Sequence, residues 1–180
     1  MRARTRFQRP DAAEAEKLRA WHERLLGQPR RGDRARLRRA GTIAEAAMEP
    51  AFHELLRTLG VTPGEGDGGE PRQLQALAVA AALAAAVKTD DKGTPLGRTL
   101  GRTRDGGTAP RVSAARFRRL LESEELEQRF ADLRRILALV GGNADLAEVA
   151  GAACDWTPAR RRRLAYDYYA TAPRQEKETE

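Results

Sequence analysis

Arginine is the residue of this chain whose spacing could do chemistry, and that chemistry is recognition of phosphate. Its planar guanidinium grips a phosphate with two donors, where lysine acts as a point charge. Residues 30–39 hold six arginines and one acid, Asp33. Residues 98–119 hold seven arginines and only Asp105, and Arg160, Arg161, Arg162 and Arg163 are consecutive. Acidic stretches separate them: 43–91 and 120–155 each carry eight acids and three bases. Arg31, Arg34 and Arg38 recur at helical spacing and could line one face opposite Leu37, and Arg39 extends that cluster. Arg98 and Arg102 sit among glycines, where backbone could approach a phosphate closely. Arg111 precedes a helix on which Arg116 and Arg119 share a face. The candidate contact residues are therefore Arg34, Arg38, Arg39, Arg98, Arg102, Arg111, Arg116, Arg119, Arg162 and Arg163.

Catalytic chemistry has no comparable set of residues. His22 and His53 are the only histidines and stand beside core-forming residues, outside any ligand set. Cys154 is the only cysteine, so an intrachain disulfide and a thiolate cluster are both excluded. It reads as a small core residue. Asp90 and Asp91 could suggest a metal-dependent nuclease pair, but between Lys88 and Lys92 they read as a solvated turn. Motifs for zinc peptidases, nucleophile elbows and phosphate-binding loops are absent. No catalytic residue, metal site or cofactor is expected. Aromatics make up 5% of the chain, too few for an extended base-stacking platform. Of Tyr166, Tyr168 and Tyr169, some must pack inward.

The whole composition agrees with a polyanion as partner. Across 180 residues, 33 basic side chains face 26 acidic ones, giving net +7 and a pI near 10.3. An arginine excess also follows from a high-GC genome, but that would be spread evenly. Segregation favours a nucleic-acid surface.

The elements that must position these arginines are helices. Leu and Ala dominate the apolar residues while β-branched and aromatic types are sparse, so the fold class is all-α. Helices are expected over 11–26, 33–40, a short segment capped by Thr42, 50–59 and 71–88. Asp33 is the expected cap of the second. The Ala-rich 71–88 helix belongs at the centre. Residues 61–69 form a Gly-rich acidic loop, and 93–112 a basic Gly-rich connector without regular structure. Helices capped by Ser113, Ser123, Asn143 and Thr157 follow. The second of these carries Leu126, Phe130, Leu133, Leu137 and Val140 at helical spacing.

The architecture expected is two small helical bundles, 11–92 and 113–170, joined through 93–112 and followed by a disordered tail, 171–180. Arg2, Arg4, Arg6 and Arg9 are not followed by an apolar stretch, and the apolar run 76–87 is too short to span a bilayer. A cytoplasmic location, with no membrane partner, is expected.

In order along the chain, RLRRAG at 36–41, the helix at 52–60, PLGRTLGR at 95–102 and RVSAARFRRLLES at 111–123 resemble the CasB family. So do LRRILALVGG at 133–142, NADLAE at 143–148 and the ending 156–169. The resemblance covers most of 11–170. It implies an all-α small subunit of the type I-E CRISPR complex Cascade, acting in antiviral defence. Its partners would be CRISPR RNA, target DNA, the large subunit, the repeated backbone subunits and a second copy of itself. A basic surface would hold the guide–target R-loop and the displaced strand. That role carries over to Arg38, Arg39, Arg98, Arg102, Arg116 and Arg119, with Arg162 and Arg163 ranked after them. The acidic insertion at 64–70 departs from the pattern. The rival reading is a helix-turn-helix transcriptional regulator, with 144–154 and the basic helix after Pro158 as its two helices.

Overall fold

The computed structural model describes Phe7 and residues 13–65, 71–104 and 107–173. Expectations for Arg2, Arg4, Arg6, Arg9, Asp105, residues 66–70 of the acidic insertion and residues 174–180 of the tail lie outside the described residues.

The fold is all-α. The N-terminal helices are α1 (Ala13–Leu26), α2 (Arg31–Arg39), α3 (Ile43–Met48), α4 (Pro50–Leu59) and α5 (Pro71–Ala86). Local chemistry sets these bounds. Thr42 accepts a bond from the Glu45 amide at the start of α3. Pro50 opens α4, and Gly60 closes it at φ 69°, a left-handed conformation that suits glycine. Asp33 is not the cap of α2: it lies in the first turn and pairs with Arg36.

The second half carries α6 (Leu96–Gly101), α7 (Ala114–Glu122), α8 (Leu126–Leu139), α9 (Leu146–Cys154) and α10 (Pro158–Thr171). Ser113 and Thr157 cap α7 and α10 as expected. Ser123 does not cap α8; its hydroxyl donates to Asp132 Oδ2 at 2.8 Å. Asn143 does not cap α9, because Asp145 accepts from the Glu148 amide at 3.0 Å. Asn143 and Ala144 instead form β2, paired in parallel with β1 (Thr89–Asp90) in the register Thr89 to Asn143 and Asp90 to Ala144.

Helix α5 is the axis of the core. Every residue from Ala76 to Ala85 is buried, and the helix packs most extensively on α9, another run of small residues. Small side chains let the two backbones approach, which a leucine-rich helix would prevent. The apolar cluster runs unbroken from Leu18 and Trp21 through α5 to Leu137, Val149 and Tyr168.

Two further features join the halves. Segment 93–112 contains helix α6, contrary to the expectation of irregular backbone. Its glycines serve packing: a β-carbon at Gly97 would lie 2.4 Å from the Leu164 carbonyl oxygen, and one at Gly101 2.6 Å from that of Tyr168. Glycine lowers helix propensity, yet only glycine lets α6 lie on α10. The second feature is a buried ion network. Arg19 donates to Asp90 Oδ2 at 2.8 Å and to Asp145 Oδ2 at 3.2 Å. Asp90 Oδ1 accepts from the Leu146 amide at 2.9 Å, and Asp145 Oδ2 from that of Gly93 at 2.7 Å. Asp90 is thus a structural acceptor, not part of a solvated turn. Among the described residues, no helix is long and apolar enough to cross a membrane.

Candidate nucleic-acid interface

The arginines fall into two populations, those bonded within the chain and those left facing solvent. In the first run, Arg30 pairs with Glu54, and Arg36 with Asp33 and Glu49. Arg34 points at the end of α5, donating to the Ala85 carbonyl at 3.1 Å and to the Val87 carbonyl at 2.9 Å. A cation there satisfies carbonyls that have no helical partner. Burial lowers the Arg34 pKa, and the nearby Arg38 charge lowers it further.

The last run is used more heavily. Arg160 pairs with Asp155 at 3.3 Å and donates to the Phe7 carbonyl at 2.7 Å, its guanidinium lying where a β-carbon of Gly151 would be. Arg161 pairs with Glu124 at 2.7 Å, and Arg163 pairs with Glu148. Arg162 alone of the four is exposed with no carboxylate partner among the described residues.

Arg38 and Arg39 are exposed and likewise without carboxylates among the described residues. Arg38, Lys88 and Arg134 converge on an open groove of about 300 Å³. Its remaining lining is Ala86, Leu137, Ala138, Gly141 and Gly142, so cations stand over an apolar floor with no acid among them. The walls are fixed by local structure. The Lys88 amide donates to the Gly142 carbonyl at 2.8 Å. Arg134 lies over the Phe130 ring at 5.5 Å and donates to the Arg38 carbonyl at 3.4 Å.

The other candidates stand apart from this groove. Arg98 pairs loosely with Asp167 and Arg102 with Asp91, both at 3.7 Å. Because Gly97 and Gly101 face α10, these glycines do not open the backbone to a phosphate, which corrects that part of the expectation. Arg116 is exposed without a carboxylate partner among the described residues, and Arg111 is half-buried. Arg119 shares the buried Asp132 with Arg135, at 3.4 and 3.3 Å. Lys88, Arg134 and Arg135 were missed as candidates. Two of them lie on the polar side of α8, a helix legible from its leucine spacing, and that side was the available signal.

The helix-turn-helix reading fails on geometry. Helix α9 is buried along Leu146–Ala153, and three of the four arginines opening α10 are paired with carboxylates of the same chain. A recognition helix needs those side chains free for base edges. His22 is buried against the Val87 carbonyl at 3.2 Å, and His53 meets the Ala47 carbonyl at 2.9 Å. Among the described residues, no group of three His, Cys, Asp or Glu is placed to hold a metal ion.

Fold and surface together define a class: an all-helical protein with one continuous core and separated patches of unneutralised arginine. The model of the CRISPR-associated protein Cse2 family matches residues 33–169, and the chain belongs to that family. CasB from Thermus thermophilus is similar in structure, with TM-score 0.65 and 27% identity over 88% of this chain and 99% of that one. So is a chain in the crystal structure of E. coli Cascade bound to a PAM-containing dsDNA target, with TM-score 0.62 and 26% identity over 87% and 93%. A search of curated protein sequences returned no match.

Proposed function

We propose that this chain is the non-catalytic small subunit of a type I-E Cascade complex, stabilising the guide RNA–target DNA R-loop and the displaced strand. Cytoplasmic antiviral defence is its setting. The partners are CRISPR RNA, target DNA, the large and repeated backbone subunits, and a second copy of the chain. Family membership supports the assembly. The observation that carries the contact surface is the acid-free groove of Arg38, Lys88 and Arg134.

Of the two helical units, 11–92 and 113–170, the first supplies Arg38 and Lys88 and the second Arg134. The groove therefore exists only when the units are packed together. Arg38, Arg39, Arg116 and Arg162 need no ion pair broken before they meet a phosphate. Arg98 and Arg102 can exchange a loose carboxylate contact at 3.7 Å for a phosphate. Arg119 can do so only by leaving the buried Asp132 to Arg135, and Arg111 is half-buried. Arg34 and Arg163 already serve the fold, so they rank last. R-loop formation exchanges one duplex for another of similar stability, so a few backbone contacts can tip it.

The test is charge reversal of Arg38 and Arg134 together in the reconstituted complex. R-loop lifetime is expected to shorten at least tenfold, with a shallower salt dependence by about one unit per lost phosphate contact. An unchanged lifetime in a fully assembled complex removes the groove from the interface. Reversal of Arg98 and Arg102 is expected to shorten the lifetime less.

A further inference from the structure

The outer face of α10 carries a row of largely exposed residues. Arg162, Tyr166 and Tyr169 follow at intervals of four and three, which places them side by side along the helix. The opposite face of the helix is fully engaged. Leu164 and Tyr168 are buried there, and Gly97 and Gly101 of α6 press against the backbone. Tyr166, by contrast, is 73% exposed and Tyr169 55% exposed.

Three observations distinguish this row from scattered surface residues. Arg162 is the one member of the run 160–163 without a carboxylate among the described residues, and it is the member that lies in line with the tyrosines. The Tyr169 ring is already oriented. It meets Phe117 at 5.9 Å and 84°, and Tyr168 at 5.1 Å and 87°, so edge contacts hold it while one side stays open. Finally, Arg116 and Arg118 flank Phe117 on α7, both exposed and both without carboxylates among the described residues. Exposed aromatic rings in line with an unneutralised arginine, on a face whose neighbouring helix adds two more free arginines, suit a ligand with flat apolar surfaces along a line of negative charge.

We propose that Arg162, Tyr166 and Tyr169 form a stacking face for unpaired bases of a single nucleic-acid strand, with Arg162 holding its phosphates. The proposal rests on the nucleic-acid reading but uses a surface separate from the groove. The groove takes backbone alone; this face takes bases, with no preference among them, because every base has a face to stack.

The experiment compares the full chain bound to a labelled oligothymidine and to an abasic strand of equal length. Wild type is expected to bind the base-bearing strand more tightly. Y166L/Y169L is expected to lose about tenfold for oligothymidine, to bind the abasic strand unchanged, and to keep the same salt dependence. Y166W/Y169W is expected to retain the preference. Both pairs are on the surface, and the melting temperature checks that the fold survives. Equal binding of the two strands by wild type, or an unchanged preference in Y166L/Y169L, overturns the stacking face while leaving the groove standing. Loss of self-association in Y166L/Y169L, seen by sedimentation, with the base preference intact also overturns it and assigns the face to a second copy. If neither strand binds, and R38E/R134E also leaves R-loop lifetime unchanged in the assembled complex, the nucleic-acid reading falls as a whole.

Discussion

Residues 30–39 and 160–163 look alike as sequence, yet the fold uses up more of the second run than of the first. In the last run, three of four arginines close ion pairs with Asp155 just after α9, Glu124 between α7 and α8, and Glu148 within α9. The first run is also partly engaged, through Glu54, Asp33, Glu49 and the end of α5, but it leaves Arg38 over the groove and Arg39 exposed. Charge density along a chain therefore measures how many cations are present. Which of them remain for a partner depends on where the carboxylates fall in space.

That contrast is broken most forcefully at Arg160. Its side chain and that of Asp155 are both about nine-tenths buried, so Arg160→Met leaves a buried carboxylate with no cation. A loss of about 3–5 kcal/mol is expected in urea unfolding. Arg162→Met, two residues away and exposed, is expected to change stability by less than about 0.5 kcal/mol. Equal effects at the two positions would erase the distinction between built-in and available arginines.

The next largest effect concerns the glycines beside Arg98 and Arg102. Gly97→Ala places a methyl group against the Leu164 carbonyl and the Tyr168 amide, backbone atoms that cannot turn aside. Destabilisation of about 1–3 kcal/mol is expected, read as a lower melting temperature. Nucleic-acid affinity measured well below that temperature should hold. A variant of full stability with weakened affinity would return Gly97 to a phosphate-approach role.

What was legible in the sequence follows the same division between local and distant causes. Pro50 with Gly60, Thr42 with Glu45, and Thr157 with Pro158 act within one turn, and α3, α4 and α10 begin or end where these residues require. The centrality of α5 was legible from its continuous run of alanines. Helix α6 was not, because its glycines argue against helix until α10 lies across them. The pairing of β1 with β2 and the bonds of Arg19 to Asp90 and Asp145 join segments far apart in the chain. The groove was illegible for the same reason. Arg38, Lys88 and Arg134 come from three separate segments, and only one of them lies in a conspicuous arginine run.

The smallest expected effect tests what Arg34 does in place of binding a partner. Arg34 and His22 converge on one carbonyl oxygen, that of Val87, at 2.9 and 3.2 Å. Burial lowers the His22 pKa, and the Arg34 charge lowers it further, while the bond to Val87 works the other way. The folded state thus holds His22 neutral at pH values where the unfolded chain has begun to protonate it. Its stabilising contribution is complete above the unfolded pKa, near 6.5, and is lost as pH falls from there through the folded value. Arg34→Met removes the cation but keeps the burial. The variant should be less stable at every pH, by about 1.5–3 kcal/mol, because the Ala85 carbonyl loses its charged donor and the Val87 carbonyl keeps only His22. Its stability should also fall less steeply between neutral pH and the lowered pKa, since the folded His22 pKa moves back toward its ordinary value. Urea unfolding at a series of pH values measures both quantities. A uniform loss with an unchanged slope would mean that Arg34 caps α5 without acting on His22. No loss at all would release Arg34 from the fold and return it to the surface that Arg38 and Arg39 occupy.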